Sequence, residues 1–125
     1  MMSGTLSILI AAMIAVESGG DDAAKGAAGE SGCLQISQRV IDDVNRFQDM
    51  VHFSHASTLN REASIAICEC YLAHYASAAR LGREPTDEDR ARIWNGGPTG
   101  YREQATLQYW WDVRQKMQRI ERAKK

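Results

Sequence analysis

The chain has 125 residues, of which 44% are hydrophobic and 25% are charged, and its formal net charge is -1. This length and composition predict one globular domain over residues 1–125, large enough to enclose a hydrophobic core. The near-neutral charge argues against binding to nucleic acid or to an acidic membrane surface through bulk electrostatics. The chain contains only two prolines, which favours helices.

The first predicted element is a buried helix over residues 6–16, an almost wholly apolar segment without glycine or proline. Gly19 and Gly20 predict its end, because glycine readily adopts the left-handed conformation that ends many helices. Glu17 therefore falls in the last turn, where apolar surroundings and the negative end of the helix dipole disfavour its charged form. We expect Glu17 to be protonated near neutral pH, as a general acid for glycosidic bond cleavage must be. The alternative is an exposed glutamate that happens to end a helix.

This apolar segment is similar in length to a signal peptide, but the first cationic residue is Lys25, so the basic start of a signal peptide is missing. The segment is also too short to span a bilayer comfortably. We therefore expect it to be part of the fold, and we expect neither a signal peptide nor an integral membrane segment in this chain.

The next segment, residues 21–37, is rich in glycine, alanine, aspartate and serine, which predicts an irregular loop or a very small hairpin. Gln35 lies there between the apolar residues Leu34 and Ile36. We expect its amide to be held rigidly and to face a cleft. A loop glutamine without a role is the alternative.

Three or four helices are predicted to follow this loop. Ser37 is the predicted N-cap of a helix that continues to about His52. Thr58 is the predicted N-cap of a long helix that continues to Arg80 and is ended by Gly82.

Two further helices are predicted near the C-terminus. Thr86 and Asp89 form a candidate capping box for a short helix that continues through Trp94. Residues 95–98, Asn-Gly-Gly-Pro, then break the chain, and a last helix is expected from about residue 101. Its predicted inward-facing residues are Trp110, Val113, Met117 and Ile120. The predicted fold is thus a compact, mainly α-helical bundle with one functional loop near its N-terminus.

The cysteines and histidines do not predict a metal site. Cys68 and Cys70 are two residues apart, and on a helix such residues point to different sides, which is poor geometry for metal ligands. We expect buried structural thiols, although a disulfide from Cys33 to either of the other two remains open. His52 and His55 are expected to be surface or capping residues. No metal or organic cofactor is predicted.

Four short motifs occur in the order in which they occur in lytic transglycosylases and goose-type lysozymes, members of the lysozyme-like superfamily. The motifs are Glu17-Ser18, Gly32-x-Leu34-Gln35-Ile36, Tyr71-Leu72, and residues 93–98, Ile-Trp-Asn-Gly-Gly-Pro. The chain resembles this family over about residues 8–113, and it looks closest to small bacterial and phage-encoded members. The resemblance implies a lysozyme-like fold, which is mainly α with an α+β character, and a sugar-binding cleft.

The resemblance also implies roles for the residues of the first two motifs. Glu17 matches the catalytic acid that protonates the glycosidic oxygen, and Ser18 matches the neighbour that orients it. Gln35 matches an amide that lines the groove near the reacting sugar. Cys33 departs from the pattern, because many members carry methionine or another apolar residue there.

The other two motifs imply substrate contacts. Trp94 and Asn95 match the aromatic-asparagine pair that closes the site opposite the acid, with tryptophan in place of the commoner tyrosine. Tyr71 matches an aromatic residue that faces the same cleft. Tyr101, like Trp94, flanks the Gly-Gly-Pro segment, and we expect both to contact substrate.

A second carboxylate is not assigned by the resemblance, and three acidic residues of the loop are candidates: Asp21, Asp22 and Glu30. Glycosidases normally use two carboxylates, whereas in transglycosylase-like families the N-acetyl group of the substrate can attack the anomeric carbon. Glu17 would then act as both acid and base and leave an anhydro-sugar end. If Glu30 or Asp22 instead positions a water molecule, the glycosidic bond is hydrolysed, as by an endolysin of the lysozyme type.

The expected function is therefore that of a muramidase, which breaks the β-1,4 bond between N-acetylmuramic acid and N-acetylglucosamine in peptidoglycan. The expected partners are glycan strands, and we expect no nucleic-acid partner and a monomer. The expected place of action is the bacterial cell wall, either in the periplasm or from a virion, and a phage-encoded protein made in the cytoplasm fits the missing signal. Two alternatives are a non-catalytic peptidoglycan-binding module and a helical interaction protein.

Overall fold

Six α-helices make up most of the molecule. The computed structural model describes residues 4–49 and 51–124; 67% of the chain is helical, and no strand occurs among the described residues. The helices are α1 (Gly4–Ser18), α2 (Gln38–Phe47), α3 (Arg61–Tyr75), α4 (Ala78–Leu81), α5 (Asp87–Gly96) and α6 (Leu107–Ala123). Short 3-10 turns occur at His55–Leu59, Gly100–Arg102 and Gln104–Thr106. The predicted mainly helical class is confirmed.

Helix α1 is the central buried helix. It packs along α6 and also contacts α5, while α2 packs against α3. Leu9, Ala12 and Met13 are fully buried, which confirms the predicted buried helix. Gly19 follows the last helical residue with a φ of +66°, so the helix ends where the sequence predicts. No helix in residues 4–49 or 51–124 has the length and apolarity needed to cross a membrane.

The loop between α1 and α2 is irregular and does not form a hairpin. Its only bridges join Ser31 to Lys25 on one side and to Ile36 on the other. The Nε2 atom of His55 lies 3.1 Å from Ser31 Oγ and 3.2 Å from the carbonyl oxygen of Ile36. His55 is the first residue of the 3-10 turn at His55–Leu59, and its ring therefore connects this turn to the loop. This contact is in keeping with a structural role.

Helix α2 ends at Phe47, so the predicted end near His52 is wrong. Ser37 is its N-cap, as predicted, and accepts a hydrogen bond from the Val40 amide. The early end has a side-chain cause: the Asn45 amide group bonds both the N–H and the carbonyl oxygen of Phe53, each at 2.9 Å. This pairing gives the backbone after α2 an alternative to further helical hydrogen bonds.

Helix α3 begins after Asn60, so the predicted N-cap at Thr58 is wrong. The Asn60 side chain accepts a hydrogen bond from the Ala63 amide at 2.9 Å. Thr58 is fully buried instead, and its hydroxyl donates to the carbonyl oxygen of His55 at 2.7 Å.

The predicted long helix to Arg80 is interrupted, because α3 ends at Tyr75. Ser77 adopts an extended conformation and caps a new helix, α4, by accepting a hydrogen bond from the Arg80 amide at 3.2 Å. Serine favours such caps because its side chain satisfies a free amide at the helix start. Gly82, at a φ of +75°, ends α4 as predicted.

Helix α5 begins with the predicted capping box. The Asp89 amide donates to Thr86 Oγ1 at 3.1 Å, and the Asp89 carboxylate accepts from the Thr86 amide at 2.8 Å. The helix continues to Gly96, two residues beyond the predicted end at Trp94, and the chain breaks at Gly97. Trp94 and the residue after it therefore lie in the last turn of a helix.

Helix α6 begins at Leu107 and not near residue 101. The intervening residues form two 3-10 turns, because the buried Thr106 hydroxyl lies 2.7 Å from the carbonyl oxygen of Gly100 and accepts a hydrogen bond from Arg92 Nε at 2.8 Å. On α6, Val113 is buried, and the other predicted inward-facing residues pack against the core: Trp110, Met117 and Ile120.

All three cysteines are free thiols. Cys33 and Cys68 are fully buried, and Cys70 is partly buried. The prediction of buried structural thiols is therefore confirmed for Cys33 and Cys68 but not for Cys70, and the open disulfide alternative is not adopted.

Candidate functional site

A cleft of about 610 Å³ opens beside the C-terminal end of α1. Its walls come from α1, the following loop, the first turn of α2, α3, and the end of α5 with the residues after it. The lining residues are Glu17, Glu30, Gln35, Ser37, Arg39, Val40, Tyr71, Trp94, Asn95, Gly96, Gly97, Pro98 and Thr99. One cleft thus collects residues from all four motifs noted in the sequence.

Burial in this cleft strongly shifts the pKa of the Glu17 carboxyl. Desolvation raises its pKa from 4.5 to about 7, and the negative charge of Glu30 adds to the rise. The Tyr109 hydroxyl and the Trp94 indole lower the same pKa, because both present a donor to the carboxylate. Glu17 therefore keeps a proton on a large fraction of molecules at neutral pH, as the sequence predicts, and it is not a freely exposed helix-end glutamate.

Tyr109 lies close to Glu17 and was not predicted as a site residue. Its side chain is buried at 9% exposure, and its hydroxyl is the one buried side-chain polar atom without a hydrogen-bond partner among the described residues. The hydroxyl is within electrostatic reach of Glu17 but outside full hydrogen-bond geometry. Burial and the Glu17 charge both raise the pKa of Tyr109 well above its usual value, so the phenol stays a neutral donor.

Ser18 does not line the cleft. Its Oγ donates to the carbonyl oxygen of Cys33 at 2.8 Å and accepts from the amides of Gly20 and Asp21 at 3.2 and 3.1 Å. The hydroxyl is therefore occupied in fixing the end of α1 to the loop. This geometry suits the predicted orienting role, and a direct contact with substrate stays a prediction.

Gln35 is held rigidly, as predicted, and it lines the cleft. Its φ of +49° makes it the one non-glycine residue with a positive φ in the described part of the chain. Its Nε2 donates to the carbonyl oxygens of Gly32 at 2.9 Å and Ala24 at 3.2 Å. A side chain pinned on a strained backbone is a common feature of functional sites.

Trp94 and Tyr71 form an aromatic wall of the cleft. Their ring centroids are 5.5 Å apart at an interplanar angle of 87°, an edge-to-face arrangement. Both residues are largely buried, so this wall is rigid. Asn95 is exposed beside it and also lines the cleft.

Two other predicted site residues lie outside the cleft lining. Tyr101 packs with its ring centroid 5.9 Å from the guanidinium carbons of both Arg80 and Arg102. Asp22 forms an ion pair of 2.8 Å with Arg61. The roles proposed for these two residues in the sequence analysis stay predictions.

Glu30 is the candidate second carboxylate that does line the cleft. Its Oε1 accepts a hydrogen bond from the Ala28 amide at 3.0 Å, which anchors the side chain to its own loop. Gly26 lies directly against both the Glu30 carboxylate and the Gln35 amide oxygen, so a larger residue there would displace them. Glu17, Glu30 and Gln35 therefore present their polar atoms to one space.

Arg39, on the first turn of α2, also lines the cleft and was not predicted as a site residue. An arginine two residues after a serine N-cap has no distinguishing pattern, and neither has a single tyrosine such as Tyr109 on a long helix. No group of histidine, cysteine or acidic residues in the described chain is arranged to hold a metal ion.

No protein-family model matches this chain, and no curated protein matches it either.

Proposed function

We propose that this chain cleaves the glycan strands of peptidoglycan, with Glu17 as the acid that breaks the β-1,4 bond after N-acetylmuramic acid. The observation that carries the proposal is a carboxyl with a pKa raised to about 7, facing a cleft of about 610 Å³ together with Gln35, Asn95 and Trp94. A carboxyl with a pKa near the working pH can both give and take a proton. The resemblance of the four motifs to lytic transglycosylases supplies the substrate class.

In the proposed reaction, protonated Glu17 donates its proton to the glycosidic oxygen, and the bond from that oxygen to the anomeric carbon breaks. The N-acetyl oxygen of the same sugar then stabilises the anomeric carbon by bonding to it. The Glu17 carboxylate takes a proton from a hydroxyl of that sugar, which attacks the anomeric carbon and displaces the N-acetyl oxygen. The product is an anhydro-sugar end, and Glu17 is protonated again.

A hydrolytic outcome is the second candidate, and the position of Glu30 favours it. Glu30 lines the same cleft, and its negative charge contributes to the raised pKa of Glu17. A second carboxylate in the same cleft can hold a water molecule for attack on the anomeric carbon. Asp22 is less suited, because it is paired with Arg61 outside the cleft lining.

We further propose that the fold is a small lysozyme-like one in which the loop of residues 19–36 takes the place of the β part. The binding groove would lie along the cleft, and the enzyme would act on the bacterial wall as a monomer. A phage-encoded or bacterial origin is consistent with this proposal.

The proposal is tested by cell-wall clearing with the wild type and with the Glu17→Gln variant. Clearing by the wild type and its loss in the variant support an enzyme, because glutamine keeps the shape of the side chain but has no acidic proton. Wall binding without clearing by either protein indicates a binding module, and neither activity indicates an unrelated interaction protein. Mass spectrometry of the released fragments then separates anhydro ends from reducing ends.

A further inference from the structure

Arg39 is the one basic residue among those that line the cleft, whereas two carboxyl groups, Glu17 and Glu30, face the same space. Arg39 is exposed and belongs to the first turn of α2, two residues after the Ser37 cap. The helix fixes the base of the side chain on the cleft wall, and the guanidinium can reach into the cleft from there.

The guanidinium of Arg39 is free, in contrast with most other arginines. It makes no ion pair and no hydrogen bond with any residue in 4–49 or 51–124, whereas Arg61, Arg83 and Arg92 are each paired with an acidic side chain. On the same helix, Arg46 is paired with Asp43 at 2.5 Å. Arg39 is therefore available to an anion that enters the cleft.

The neighbours of Arg39 place its charge on the cleft side of α2. Its positive charge lowers the pKa of the Tyr71 phenol, which lies largely buried in the cleft wall, against the larger upward effect of burial. Val40 lines the cleft beside it. A ligand that lies along Tyr71 and Trp94 would therefore pass the guanidinium.

We propose that Arg39 binds a carboxylate of the peptide substituent on the glycan, so that the preferred substrate is the peptide-bearing strand. This inference rests on the proposed function. In a peptide-bearing strand the lactyl carboxyl of muramic acid is held in the amide bond to the peptide, so the sugars offer Arg39 no anion, whereas the attached peptides carry free carboxylates. The planar guanidinium donates two parallel hydrogen bonds to one carboxylate, a geometry that lysine does not reproduce.

The test compares glycan strands that carry peptides with bare strands, from which an amidase has removed the peptides and whose freed lactyl carboxyl groups have then been converted to uncharged methylamides. The wild type should cleave the peptide-bearing strands with the higher kcat/KM. Arg39→Ala should lose about 10-fold on the peptide-bearing strands, through KM more than kcat, and should be unchanged on the bare strands. Arg39→Lys should restore only part of the loss. Because Arg39 is exposed, none of these variants should lose the fold, which circular dichroism checks.

Arg46→Ala is the matched control, since it removes the same charge from the same helix outside the cleft lining, and it should leave both substrates unaffected. Equal losses on both substrates for Arg39→Ala, or no loss on either, would overturn the proposal. Binding of both strand types to the inert Glu17→Gln protein is measured in parallel, with and without the Arg39→Ala change. If the wild type cleaves neither substrate, the proposed function fails. Peptide-dependent binding that needs Arg39 would in that case still support the carboxylate site. If such binding is also absent, the carboxylate site is overturned as well.

Discussion

The Ser18 hydroxyl donates a hydrogen bond of 2.8 Å to the carbonyl oxygen of Cys33, and this contact joins the last residue of α1 to the loop that carries Gln35. Glu17 immediately precedes Ser18, and Gln35 follows Cys33 by two residues. This hydrogen bond thus helps to hold the perturbed carboxyl and the rigid amide at the same cleft.

Ser18→Ala should therefore weaken both stability and turnover. Removing the hydroxyl takes a partner from the Cys33 carbonyl oxygen and from the Gly20 amide, and leaves the Asp21 amide with only its 3.4 Å bond to the Ser18 carbonyl oxygen. This loss costs about 1–2 kcal/mol of the free energy of unfolding. The kcat for wall cleavage should fall, because Glu17 loses its fixed position. Denaturant unfolding and initial rates measure the two effects. Ser77→Ala is the control, since it removes the α4 cap at a similar cost, and a fall in its kcat as large as that of Ser18→Ala would contradict the positioning role.

Tyr109→Phe should raise the pKa of Glu17, since the phenol lowers that pKa in the wild type. The high-pH limb of the activity profile should move upward. At about pH 5, where Glu17 is protonated in the folded state, the free energy of unfolding should stay the same or increase, because the lost hydroxyl is buried without a partner. A pH–rate profile and a denaturation curve test both points. Tyr101→Phe should leave the profile unmoved. A downward movement of the high-pH limb in Tyr109→Phe would contradict the assignment.

Glu17→Gln should make the protein more stable than the wild type at high pH. The folded state holds the Glu17 proton up to a pKa of about 7, while the unfolded state loses it near 4.5. The folded state thus binds more protons across this window, so wild-type stability falls as the pH rises through it. The advantage of the variant should grow from near zero at pH 4 to at most about 3 kcal/mol at pH 8.

Denaturant unfolding of both proteins at several pH values measures this difference. Asp89 does not disturb the comparison, because its pair with Arg83 lowers its pKa to about 2, below the window, and it is present in both proteins. A stability difference that does not change between pH 4 and pH 8 would mean that the carboxyl titrates as if exposed.

Gly32→Ala should destabilise the fold far more than Gly29→Ala. Both glycines have a positive φ, +83° and +91°, so each substitution incurs backbone strain of about 1–3 kcal/mol. A Cβ on Gly32 would also collide with the backbone carbonyl of Thr58, whereas nothing lies within 4 Å of one on Gly29. Thermal unfolding measures the difference, and equal changes in Tm would contradict the close approach of the loop to Thr58.

The sequence predicted the first helix and the place of Glu17 well, because both depend on local information. An apolar segment buries itself, and two glycines end it, whatever the rest of the chain does. The same holds for the box of Thr86 and Asp89, in which each residue satisfies the backbone of the other. Such self-contained signals are the ones that sequence patterns carry most reliably.

The helix ends that were predicted wrongly depend on partners that the local pattern does not reveal. Helix α2 stops because Asn45 bonds Phe53, eight residues away. The late start of α6 follows from Arg92, which donates to Thr106 across fourteen residues. In both places a side chain from another part of the chain forms a hydrogen bond with a group near the helix end, and this bond competes with continuation of the helix.

The site was predicted only in part, because some of its residues are brought together by contacts between distant segments of the chain. Gln35 and Trp94 lie in recognisable motifs, but the position of Tyr109 near Glu17 results from the packing of α6 along α1. Its burial with an unpaired hydroxyl is a tertiary property, and no spacing within α6 indicates it. Arg39 was missed because its place in the cleft wall results from the folding of the chain, which no local pattern indicates.

The pKa of the Glu17 side-chain carboxyl, measured by carbon-13 NMR across a pH titration, tests most directly whether burial prepares this group as an acid. The Glu17→Gln protein identifies the resonance by its absence. A midpoint near 7 is predicted, and a midpoint near 4.5, the value of a solvated glutamate, would contradict the assignment of Glu17 as the proton donor.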